Sequence, residues 1–94
     1  MNTDTRTTIV NRYIQLIRSV FEFYQYSIIA EKRLRHKTVI TANSGLKTIV
    51  GITLHHGQLR DNLNASNSRL FIDEGVYIIL EFHGFPPYLL DNVI

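Results

Sequence analysis

The sequence predicts an α+β fold: one long N-terminal helix packed on a small, mostly antiparallel sheet of about four strands. Three observations predict it. No glycine or proline precedes Gly45, whereas five glycines and two prolines punctuate the rest. Apolar residues recur at spacings of three and four in the opening stretch, the period of a helix face. Beyond Lys37 they alternate with period two, the period of a strand.

Thr3 or Asp4 can cap the helix start, because their side-chain oxygens accept from free backbone N–H groups. Val10, Ile14, Ile17, Phe21, Tyr24 and Ile28 then form a stripe that Tyr13 and Val20 widen. Arg6, Arg12, Gln15, Ser19 and Glu22 fill the remaining circumference, which makes the helix amphipathic. Past Tyr24, "FEFYQYSII" is aromatic and β-branched enough for a strand. Yet no breaker appears, and Glu31 precedes Arg35 by four residues, a favourable helical pair. One helix is therefore expected to reach His36, with a kink near Ser27. Residues 1–94 read as one domain, helical over 1–36 and β-rich over 37–94. Such a helix would be roughly 45–50 Å long at 1.5 Å per residue. A chain of this size has a radius of gyration of about 12 Å. The helix would overhang, and Val10, Ile14, Ile17, Phe21 and Ile28 would want a partner, so a homo-oligomer is expected.

"KTVITA" and "LKTIVGITLHH" flank Asn43-Ser44-Gly45 and read as a hairpin. Leu46, Val50, Ile52 and Leu54 share one face, with Lys47, Ile49, Thr53 and His55 on the other. "GQLRDNLNASNS" is polar and reads as a loop with a helical turn at Gln58–Asn62. "RLFID" and "VYIILEF" form a second hairpin around Glu74-Gly75. Val76, Ile78, Leu80 and Phe82 face one way, and Tyr77, Ile79 and Glu81 the other. Apolar residues on both faces place this strand centrally. "HGFPP" stops it, and "YLLDNVI" is a short helix or an apolar tail. That tail either covers Ile49, Tyr77 and Ile79 on the far face or leaves them as an interface.

The chain has no cysteine, which excludes disulfides, thiol catalysis and cysteine-based zinc sites. No apolar run approaches a membrane span, and the polar N-terminus is no secretory signal. A cytoplasmic protein is expected. Net charge is only +2, but residues 1–40 carry seven Lys/Arg against three Asp/Glu, while 41–94 carry three against five. The first half can steer an acidic partner.

The densest charge is "EKRLRHK", with Lys32, Arg33, Arg35 and Lys37. Cations there neutralise phosphates, and Tyr24 and Tyr26 can stack on unpaired bases. The same charges would also offset the dipole at a helix C-terminus, by about 0.3–1 kcal/mol each. A winged-helix alternative makes "LKTIVGIT" a first helix and "QLRDNLNAS" a recognition helix. Its β-branched, period-two pattern argues against it. His55, His56 and His83 could join Asp61, Asp73 or Glu81 at a metal. Adjacent strand histidines point to opposite faces, however, so one site takes at most one of His55 and His56. Asp73-Glu74 suits a turn, and "HGFPPY" a chain reversal or a small docking motif.

The expectation is a small oligomeric, non-enzymatic nucleic-acid-binding protein with no cofactor or metal. Lys32, Arg33, Arg35 and Lys37 would hold phosphates, with Tyr24 and Tyr26 stacking. The alternative is a protein-interaction or assembly module using the helix stripe and the C-terminal segment. An enzyme using His55 or His83 comes behind both.

Overall fold

A helix laid across a five-stranded antiparallel sheet gives the α+β arrangement predicted, with one strand more than expected. The computed structural model describes residues 3–45, 47–57 and 65–93. Helix α1 spans Thr3–Phe23. Strands β1 (Ser27–Arg33), β2 (Lys37–Asn43) and β3 (Ile49–His56) follow. A 3-10 turn at Ala65–Asn67 leads into β4 (Ser68–Asp73) and β5 (Val76–His83), and a 3-10 helix at Pro87–Asn92 ends the described chain. The sheet order is β1-β2-β3-β5-β4, so β5 is an interior strand between β3 and β4, as its two apolar faces predict, although the middle position belongs to β3.

One sheet face carries Ile40 and Ala42, then Val50, Ile52 and Leu54, then Val76, Ile78, Leu80 and Phe82. The helix lays Ile9, Val10, Ile14, Ile17, Val20 and Phe21 onto it, and all of these are buried. Burial of each such side chain contributes about 1.5–3 kcal/mol, which makes this layer the main source of stability.

The expected helix to His36 is corrected: it ends at Phe23, and Ser27–Arg33 is the edge strand β1. A capping motif without glycine stops it. The Tyr26 N–H donates to the Phe21 carbonyl (2.8 Å) and the Gln25 N–H to that of Glu22 (3.0 Å). Gln25 adopts the left-handed conformation this requires, at φ 63°. The Tyr26 ring then packs on Phe21, with centroids 5.9 Å apart. These are the two bonds and the apolar contact of a Schellman cap. The helix of 21 residues is about 31 Å long and lies within a molecule of 42 × 25 × 24 Å. It does not overhang. The oligomer interface expected at Val10, Ile14, Ile17, Phe21 and Ile28 is therefore also corrected. The first four are buried in the chain's own core, and Ile28 packs against it.

Both predicted hairpins form. Glu74 (φ 49°) and Gly75 (φ 80°) make a two-residue turn with both central residues left-handed, which suits the strand twist. "IVGIT" lies in β3, so the winged-helix alternative loses its first helix. The turn expected at Gln58–Asn62, Leu46, and the candidate ligand Asp61 lie outside the described residues, as do the side chains of Thr3 and Asp4. The terminal segment does not cover the far sheet face. Leu90 is buried in the main core, and the Tyr24 hydroxyl donates to the Leu89 carbonyl at 2.8 Å. Gly84, at φ 74°, turns the chain so that Phe85 enters a cluster with Phe21, Tyr24, Tyr26 and Phe82.

Candidate anion-binding cleft

The first turns of α1 and the β1–β2 hairpin enclose a cleft of about 260 Å³. Helical spacing brings Arg6 and Val10, and Thr7 and Asn11, to one side of it, since residues four apart are neighbours. The hairpin supplies Arg33, Leu34 and Arg35, and the sheet supplies Thr38 and His56. The hairpin closes through the Leu34 N–H, which donates to the Lys37 carbonyl at 2.8 Å. The His56 N–H donates to the His36 carbonyl at 3.1 Å, which ties the end of β3 to that turn. Gly57 (φ 89°) lies against Arg6. A Cβ there would stand 3.2 Å from an Arg6 guanidinium nitrogen, so glycine leaves room for the arginine.

Three arginines thus line one cleft, and no carboxylate is among the described residues that line it. Arg33 is braced: its Nε donates to Glu31 Oε2 at 2.8 Å and its Nη1 to Asn11 Oδ1 at 3.0 Å. Glu31 also accepts from Arg18, and the two arginines hold its carboxyl below the usual range against the opposing effect of burial. Arg6 and Arg35 have no ion-pair partner among the described residues. Burial lowers the pKa of His56, helped by Arg6, His36 and His55, and its Nδ1 is buried with no hydrogen-bond partner. Guanidinium groups are permanent, planar donors matched to phosphate or carboxylate oxygens. Of the ligand classes, an anion is the one this donor set matches.

The basic segment is divided rather than gathered. Arg33 and Arg35 line the cleft. Lys32 and Lys37 lie on the far sheet face, opposite Val39 and His55 respectively. Tyr24 and Tyr26 are not free platforms, since both rings pack against Phe85. Arg6, Asn11, Thr38 and His56 are missing from the sequence-based site. Charge density along the chain cannot find them, because tertiary packing brings Arg6 to Arg35.

The histidines divide as strand geometry predicts. His55 lies on the far face, with Nε2 3.1 Å from Glu81 Oε1, while His56 lies on the helix side. His83 Nε2 stands 3.2 Å from the Thr53 hydroxyl and 3.8 Å from the same Glu81 oxygen. Asp73 is bound to Arg12 at 2.8 Å. Among the described residues no group of three or more metal-ligating side chains is placed to hold a metal ion. No helix among them is long and apolar enough to cross a membrane.

No family model, curated protein or solved structure matches this chain.

Proposed function

We propose that this chain is a non-enzymatic nucleic-acid-binding protein that holds phosphates in the cleft between α1 and the β1–β2 hairpin. The observation that carries the reading is that Arg6, Arg33 and Arg35 line one cleft with no carboxylate among the described residues that line it. Arginine binds phosphate bidentately but stays protonated near neutral pH, so it suits holding a ligand better than transferring protons. Lys32 and Lys37 lie on the other face of the same hairpin, so they add long-range attraction for a polyanion rather than contacts in the cleft. The lack of cysteine supports a reducing, cytoplasmic setting.

Titration with single- and double-stranded oligonucleotides at two salt concentrations tests it. Affinity is expected to fall steeply with salt. Arg6→Ala and Arg35→Ala each weaken binding across sequences and reduce the salt slope by about 1. Absence of binding at low salt removes the proposal. A second reading, an assembly module, is favoured by the exposure of Leu70 and Ile72 on strand β4.

A further inference from the structure

The two edges of the sheet are built differently. At one edge β1 carries a register irregularity between Ile28 and Ala30, followed by Glu31, Lys32 and Arg33. Bulges and charges of this kind discourage strand addition. At the other edge β4 pairs with β5 in unbroken register from Ser68↔Glu81 to Asp73↔Val76. Beyond Ser68 its far-face residues are apolar and open, Leu70 at 54% and Ile72 at 63% exposure. Tyr77, opposite Ile72, adds to the same patch. Among the described residues no strand pairs with the outer side of β4.

The chemistry of β4 specifies what fits there. Arg69-Leu70-Phe71-Ile72-Asp73 reads cation, apolar, aromatic, apolar, anion. We infer that β4 pairs antiparallel with β4 of a second copy about a two-fold axis at Phe71, joining two sheets into one. This register sets Leu70 opposite the partner's Ile72 and Arg69 opposite the partner's Asp73. A slip of two residues either way sets Arg69 or Asp73 opposite Phe71, and a slip of one breaks the match of faces. Arg69, Phe71 and Asp73 lie on the helix side, where Asp73 already binds Arg12 and Arg69 stands 3.8 Å from Asp91. The row Arg12, Asp73, the partner's Arg69, the partner's Asp91 therefore alternates in sign. Such an interface is self-complementary and closes at two subunits. The β1 edges, and the clefts beside them, fall at opposite ends of a ten-stranded sheet, roughly 43 Å apart at the usual strand spacing.

A six-residue edge buries less than a standard interface, so association is read over a concentration series. Sedimentation velocity on the full chain is expected to show a monomer–dimer equilibrium. Ile72→Lys, at an exposed position, shifts it to monomer. Arg69→Asp does the same by facing the partner's Asp73 with like charge, and Asp73→Arg does so by the reciprocal clash. The double variant Arg69→Asp/Asp73→Arg recovers the dimer in part, while circular dichroism stays that of the parent. A parent chain monomeric throughout overturns the inference. So does a dimer that Ile72→Lys and Arg69→Asp leave intact, or a folded double variant that recovers nothing.

Discussion

His56 links stability to pH and, under the proposed function, links phosphate binding to the same proton. Burial, Arg6, His36 and His55 all lower its pKa from the ordinary 6.5. The unfolded chain therefore takes up a proton as pH falls through 6.5, while the folded chain resists it. Where the unfolded state binds more protons, stability falls with falling pH. The thermal midpoint should thus drop between pH 7 and pH 5, and His56→Gln should flatten the drop. Each kcal/mol moves the midpoint of a domain this size by about 4–8 °C, so the slope is readable. Glu31 acts lower. Its carboxyl is held below 4.5, so its contribution is present above that value and lost as pH falls through the folded pKa. Binding runs the other way from stability, because a phosphate beside His56 favours the imidazolium. Oligonucleotide affinity should rise over the same window and lose that rise in His56→Gln. A flat melting profile in the parent chain would contradict the assignment.

At the scale of elements, the strands after Lys37 were legible because period-two alternation and Gly/Asn turns leave little choice. The passage from α1 to β1 was not. Its stop depends on Gln25 at positive φ, and glutamine carries no such signal. The Glu31–Arg35 pair that favoured helix is not made: Glu31 binds Arg18 and Arg33 instead. In the clearest candidate site only Arg33 and Arg35 were foreseen, since the others arrive by packing. The cap makes a direct prediction. A non-glycine residue at this position bears strain that glycine lacks. Gln25→Gly is expected to stabilise the protein by about 0.5–1 kcal/mol, after allowing for the greater freedom of glycine in the unfolded chain. Thermal melting measures it. A lower midpoint would mean that the Gln25 side chain contributes more than its backbone angle costs.

At the scale of the whole molecule, the aromatic cluster and the proposed ligand site lie at opposite ends of α1. Phe85 closes the core at the helix C-terminus, edge-on to Phe21 with centroids 5.4 Å apart and stacked on Phe82 at 6.3 Å. The cleft begins at Arg6, roughly 27 Å away along the axis from Tyr24 at 1.5 Å per residue. A domain of this length has about 5–14 kcal/mol of stability in total. Phe85→Ala would remove about 3–5 kcal/mol of it, too much for a clean binding assay. Phe85→Leu keeps an apolar side chain and should cost about 1–2 kcal/mol, lowering the midpoint by several degrees. The guanidinium positions depend on the Leu34–Lys37 turn, the Arg33–Asn11 bond and Gly57, none of which touches Phe85. Oligonucleotide affinity in Phe85→Leu, measured well below its midpoint, should therefore equal that of the parent chain. Affinity falling in step with the midpoint would show that the aromatic end also sets the cleft, and that the two ends act as one unit.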